Sequence, residues 1–182
     1  TIPASAQPDL AGDFGVVHRS VTTTGTLEPA AVLWFRIELT GDEHFLDITT
    51  NDTPTISGTL EDTEIALYDA LGRLIATDDD DGLSTRSTLS FGTGSGLRLG
   101  DFSNLGNGFA TGQDGPLPPP GVYYIALGEF DTVFTDSDFL AGNNGSGFGG
   151  SFVLSAYTGA APAPGGTAAL LVFAASAARR RR

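Results

Sequence analysis

Three observations predict an all-β protein built as an antiparallel β-sandwich. Between Phe14 and Tyr157 the apolar residues recur at period two far more than at 3.6, clusters of Gly, Asn and Asp punctuate the runs, and almost no segment carries a helical period. With 182 residues the chain is long enough for one good core and short for two, so a single domain with appendages is expected.

The strands follow in order. In "VLWFRIEL" the side chains of Leu33, Phe35 and Ile37 face one way, with Trp34, Arg36 and Glu38 on the other face. Similar short segments are "HFLDITT" with Leu46 and Ile48, "TEIALYD" with Ile65 and Leu67, "GRLIAT" and "STLSF". "GVYYIAL" opposes Tyr124 and Ala126 to Tyr123 and Ile125, and "SFVLSAY" carries Phe152 and Leu154. Turns are predicted at Thr40-Gly41-Asp42, Asp69-Ala70-Leu71-Gly72, Asp81-Gly82 and Gly142-Asn143-Asn144-Gly145. Two long irregular stretches, Gly92 to Gly121 and Glu129 to Gly150, carry phenylalanines at 102, 109, 130, 134, 139 and 148, which predicts that they are pinned onto the sandwich.

Composition excludes several functions. The formal net charge is -13, and four of the nine basic residues are the terminal Arg179 to Arg182, leaving 5 cationic against 22 acidic residues on the rest. Such a body has no clustered cationic surface for nucleic acid or anionic lipid, so no nucleic-acid partner is expected. Without cysteine there is no disulfide, thiol nucleophile or Cys-based zinc site, and without lysine there is no P-loop. Gly145 to Gly150 formally matches G-x-G-x-x-G, but it precedes a strand with no βαβ unit around it. His18 and His44 are the two imidazoles, and neither has metal-ligand spacing.

The four consecutive carboxylates of "TDDDDG", Asp78, Asp79, Asp80 and Asp81, stand at a predicted strand end, where they repel one another unless a cation or solvent screens them. Calcium takes six to eight oxygens from flexible loops, so these residues with Asp69, or Asp62, from neighbouring turns form a candidate calcium set. The spacing matches no EF-hand, and a plain exposed acidic turn is the alternative.

The two ends read as addresses. Ala4-Ser5-Ala6 has the small-x-small pattern of a signal-peptidase site, so residues 1–6 are expected to be the remnant of an export signal. Residues 159–166 form a Pro/Ala/Gly linker, and residues 167–182 are expected to form a short hydrophobic helix with an arginine cluster held on the cytoplasmic side. Pro162-Ala163-Pro164, the apolar run and Arg179, Arg180, Arg181 and Arg182 together resemble the PEP-CTERM sorting signal of bacteria, with Ala163 where that family usually has Glu. The resemblance implies transient inner-membrane anchoring, cleavage by an exosortase-type enzyme and delivery to the cell envelope or extracellular matrix. A plain C-terminal anchor is the alternative.

Residues 7–158 form the expected domain. Within them "LWFRIELTG", "DTEIALYDALGRLIATDDD", "PPGVYYIALGEF" and "GSFVLSAYTG" resemble, in order and approximate spacing, the bacterial pre-peptidase C-terminal domain. That resemblance implies a jelly-roll-like β-sandwich that is itself non-catalytic and that in some relatives binds calcium or a polymer such as collagen. Leu33 stands where an Asp is usual and Thr77 where an Asn often precedes the acidic pair, and both changes remove oxygen ligands. The expected function is therefore an exported, non-catalytic module with calcium as cofactor and envelope polysaccharide as partner. Two rivals remain: a small secreted hydrolase using carboxylates of the long loops, and a lectin-like domain with Trp34, Tyr68 or Tyr123 as exposed stacking platforms.

Overall fold

The computed structural model describes residues 7–93, 114–144 and 147–160. The export-signal remnant, most of the first long loop with Phe102 and Phe109, the linker beyond Ala160 and the whole sorting tail lie outside the described residues.

Eleven strands make up the described chain: β1 (Gly12–Val16), β2 (Ser20–Leu27), β3 (Leu33–Leu39), β4 (Glu43–Thr49), β5 (Thr63–Asp69), β6 (Leu74–Asp78), β7 (Thr88–Gly92), β8 (Gly121–Glu129), β9 (Thr132–Phe134), β10 (Ala141–Asn143) and β11 (Gly150–Ala160). One sheet has the order β1-β3-β8-β5-β6, a second the order β2-β11-β4-β7, and β9 with β10 forms a two-stranded ribbon. No helix occurs among the described residues.

The two large sheets share one core. Phe35 and Ile37 of β3, Ile65 and Leu67 of β5, and Ile125 and Leu127 of β8 pack with Leu46 and Ile48 of β4, Leu89 and Phe91 of β7, and Phe152 and Leu154 of β11. This is a two-sheet, sandwich-like arrangement in which each strand contributes alternate residues inward. The face assignments read from the "VLWFRIEL" and "GVYYIAL" segments agree with it: Phe35, Ile37, Tyr123 and Ile125 enter the main core, and Trp34, Tyr124 and Ala126 point the other way.

Pairing departs from the expected all-antiparallel scheme at one edge. β1 runs parallel to β3, with Gly12 opposite Phe35 and Asp13 opposite Arg36. The chain leaves β1 for β2 in the other sheet and then returns to β3, which gives β1 and β3 the same direction.

The outer face of the five-stranded sheet is covered too. The β9–β10 ribbon and its connecting turn lie over it, and Phe139 packs edge-on against Trp34 at 5.8 Å and Tyr124 at 5.0 Å between ring centroids. Edge-to-face pairs suit the ring quadrupoles. The Tyr68 hydroxyl donates to the Leu140 carbonyl at 3.3 Å, and the Leu74 amide donates to Asp136 at 3.0 Å. Gly72 is needed beneath this turn: its φ is +78°, and a Cβ there would sit 2.9 Å from the Phe139 nitrogen. The expected pinning of loop phenylalanines thus holds for Phe139 and, partly buried against the same cluster, for Phe134, whereas Phe130 and Phe148 are exposed.

Candidate functional site

The acidic site grows out of the β5–β6 hairpin. Residues directly opposite in an antiparallel pair share a face, and Ile65 is opposite Asp78. Ile65 belongs to the main core, so Asp78 faces inward at the end of the sandwich, and Asp79 and Glu64 fall on the outer side. The chain then bends through Asp79 to Asp81 and is held in place by neighbours. The Thr88 amide donates to Asp78 Oδ2 at 2.6 Å, the Asp81 amide to the same oxygen at 3.3 Å, and the Ser87 hydroxyl to the Asp79 carbonyl at 2.8 Å. At Gly82 a Cβ would lie 2.3 Å from the Arg86 carbonyl and 2.5 Å from Asn51 Oδ1, so only glycine fits.

A cavity of about 460 Å3 opens on this bend, lined by Glu64, Thr77, the four aspartates, Thr132 and Phe134. At its edge Asp62, Asp79 and Asp80 each present a carboxylate oxygen within 4.8 Å of the others. Asp62 Oδ1 and Asp80 Oδ1 are buried and have no hydrogen-bond partner. Buried carboxylate oxygens without donors are costly, because nothing replaces the water they lose. The donor set is three hard anionic oxygens without nitrogen or sulfur, which suits calcium far better than zinc.

The electrostatics carry the same sign throughout. Burial, then the charges of Asp79 and Asp80, push Asp62 up to about 6. Burial and then Asp79 push Glu64 up to about 7, against the amide donated by Asp131 at 2.7 Å. Asp78 is raised well above the carboxylate range by burial, with Asp81 adding to the shift and the Thr88 amide opposing it. Asp114, which accepts from the Ser90 amide at 2.5 Å, is raised to about 6, again by burial first.

Stability of the metal-free protein should follow these shifts. A carboxyl whose folded pKa is raised binds its proton more tightly in the folded state, so its contribution is fully present below the unfolded value near 4 and is lost as pH rises through the folded value. For Asp62 and Glu64 that loss runs from about pH 4 to 7. Glu64 is 8% exposed, and its rise to about 7 corresponds to on the order of 3 kcal/mol. In chelator, the melting temperature should fall by roughly 5 °C between pH 5 and pH 8. A flat or rising profile in a differential scan would show that these acids are not held against their charge.

The sequence-predicted residues separate into groups. Asp79 and Asp80 meet at the edge of the cavity with Asp62. Asp78 and Asp81, 8% and 7% exposed, are turned inward beside each other. Asp69 stands apart at the far end of the hairpin, about 13 Å along β5 from the partner of Asp78 at 3.3 Å per residue. There it accepts from the Leu71 amide at 2.8 Å and pairs with the Arg73 guanidinium at 2.6 Å. The sorting residues Pro162, Ala163, Pro164 and Arg179 to Arg182 lie outside the described residues.

The exposed stacking platforms are corrected. Trp34 is 8%, Tyr68 0% and Tyr123 5% exposed, because the β9–β10 ribbon covers the first two and the third faces the core. The acids that converge come from several elements: Glu64 from β5, Asp78 from the end of β6, Asp79 to Asp81 from the β6–β7 connection, Asp62 from just before β5, and Asp114 from the first long loop. Glu64 and Asp114 were not singled out in the sequence. Glu64 was accessible to hairpin register, since a turn at Ala70 to Gly72 brings it opposite the aspartate run.

No family model matches the chain, and no curated protein does. Among solved structures, the pre-peptidase C-terminal domain of a collagenase from Bacillus anthracis is similar at 12% identity and a TM-score of 0.43, over 83% of this chain and 99% of that one. PliG of Aeromonas hydrophila, a periplasmic inhibitor of g-type lysozyme, is similar at 9% identity and a TM-score of 0.39, over 82% and 100%. Likeness this remote transfers no residue role, and function has to be argued from the acidic site itself.

Proposed function

We propose that the chain is an exported, non-catalytic β-sandwich module of jelly-roll connectivity whose acidic end takes calcium and whose partner is an envelope or matrix polysaccharide. The observation that carries the calcium assignment is the meeting of Asp62, Asp79 and Asp80 with two buried, partnerless oxygens among them. A divalent cation there would replace the missing donors and offset both the burial and the mutual repulsion that raise the neighbouring carboxyls, with carbonyls and water completing six to eight ligands. Jelly-roll connectivity is supported by strand order: β2-β11-β4-β7 faces β3-β8-β5-β6, and successive strands from β2 to β8 change sheets at every step except the β5–β6 hairpin.

Export and delivery rest on the sequence of the ends. The apolar run before Arg179 to Arg182 is short for a spanning helix, the arginines resist translocation, and Pro162-Ala163-Pro164 marks the cleavage region for an exosortase-type enzyme. No helix among the described residues is long and apolar enough to cross a membrane. Intact-mass measurement of envelope or matrix material should find a protein lacking roughly its last twenty residues. Arg182 still attached would contradict processing.

A second reading draws on the same raised carboxyls. Glu64, held near 7 beside an open cavity, has the character of a general acid, and perturbed acids converging on a cavity are what a hydrolase requires. The two readings part on turnover. A non-catalytic module hydrolyses no glycan, ester or peptide with or without calcium, and reproducible turnover abolished by Glu64→Gln in a folded variant would establish the enzyme instead.

A further inference from the structure

A second cleft, of about 1140 Å3, lies beside the acidic cavity and shares Asp62 with its edge. It is bounded by the 57–62 segment on one side and by 129–131 and 147–149 on the other. Two aromatic rings on its lining are open to solvent: Phe148 is 96% exposed and Phe130 62%. Exposed phenylalanine gains nothing for folding, and two of them on one concave surface mark a binding face. The charged side chains of the lining are Glu61, Asp62, Glu129 and Asp131, all acidic. Glu129 is spent internally, accepting from the amides of Ala30 at 2.8 Å and Gly149 at 2.9 Å, so Glu61, Asp62 and Asp131 remain to face a ligand.

We propose that this cleft binds an amino-sugar polymer whose amines are protonated. Pyranose rings present apolar C–H faces that stack on aromatic rings, and their hydroxyls and ammonium groups donate to carboxylates. An acidic glycan would meet like charge in a cleft whose lining holds no cation. A basic peptide is less well served, because the strand edges it would extend are already paired. The Leu60 amide donates to the Ser151 carbonyl at 2.8 Å, the Ser151 amide to Gly58 at 3.1 Å and the Asn144 amide to Asp131 at 3.1 Å. The site is held from beneath, since the Glu61 carbonyl accepts from both Arg86 and Thr85. This proposal rests on the chain being a polysaccharide-binding module, and because Asp62 also belongs to the calcium cluster it is tested with calcium removed.

The test is isothermal titration of the folded chain, in chelator, with a fully deacetylated glucosamine hexamer at a pH where its amines are charged. The N-acetylated hexamer, a uronic-acid oligomer and a hexa-arginine peptide serve as comparisons. The deacetylated hexamer should bind at least tenfold more tightly than each of the others. Phe148→Ala should weaken it at least tenfold and Asp131→Asn about fivefold, with melting temperatures unchanged because both side chains are on the surface. Absence of binding, equal binding of the N-acetylated or uronic oligomer, peptide binding as tight, or an unaltered affinity in Phe148→Ala would each overturn the assignment. Failure here with a calcium-specific melting shift intact sinks the cleft alone, and glycan binding without that shift sinks the calcium assignment alone.

Discussion

Replacing Arg86 by Met should destabilise the protein by about 3–4 kcal/mol, the largest effect expected of any single substitution near the site. Arg86 is 3% exposed, a cation buried beside the acidic bend. Its guanidinium donates to the Thr53 carbonyl at 3.3 Å and 3.4 Å, to Pro54 at 3.2 Å and to Glu61. Those carbonyls belong to the connection from β4 to β5, which carries Asp62 into the cavity. Methionine keeps the length and apolar stem but leaves the buried Thr53 carbonyl without its two guanidinium donors and takes one donor each from the part-buried carbonyls of Pro54 and Glu61. It also removes the positive charge that holds Asp62 down against its acidic neighbours. Urea denaturation should show a midpoint loss at unchanged slope, and the melting temperature should drop by roughly 10 °C. Arg86→Lys, retaining charge without the planar fork, should fall between the two. A loss below about 1 kcal/mol for Arg86→Met would mean that the connection is held by other contacts.

Calcium should raise the melting temperature by roughly 5–10 °C at a hundredfold excess over its dissociation constant, corresponding to about 2.7 kcal/mol. The cause is local: Asp62, Asp79 and Asp80 meet within 4.8 Å, and two of their oxygens are buried without donors. Magnesium should do much less, since its small octahedral shell gives up water reluctantly and fits a dense carboxylate cluster poorly. Sodium at matched ionic strength tests plain screening, which acts weakly on buried charge. The shift should be larger at pH 8 than at pH 5, because protons compete with the cation for carboxyls that are raised to about 6 and 7. Asp79→Asn should remove most of it, and Asp69→Asn should leave it unchanged, because Asp69 is engaged by Arg73 at the other end of the hairpin.

The faces of β3 and β8 were legible because large side chains alternate there, and nothing but a strand places Phe35 and Ile37 opposite Trp34 and Arg36. β2 was harder to see. Its alternation in "SVTTTGTL" is between small and polar residues, and its place in the sheet depends on β11, whose Phe152 ring covers Gly25 so closely that a Cβ would lie 2.8 Å away. The parallel pairing of β1 with β3 joins residues some twenty positions apart and leaves no local mark. Burial of Trp34 and Tyr68 was hidden for a related reason: the cover comes from the 129–150 segment, whose loop-like composition conceals a ribbon that docks through Phe139. At the acidic site the aspartate run was plain in the sequence, but its partners were not. Asp69 is closer in sequence to the run than Asp62 is, yet the hairpin carries Asp69 away and folds Asp62 and Glu64 back onto it.

Direct titration of calcium into calcium-free protein near pH 6, where Asp62 is about half protonated, followed by heat and by proton release, tests the central assignment. The account predicts one site per chain with release of protons, since carboxyls held partly protonated must ionise when the cation arrives, and loss of that site in Asp79→Asn. No binding at millimolar calcium, or the same affinity and proton release in the variant, would contradict it.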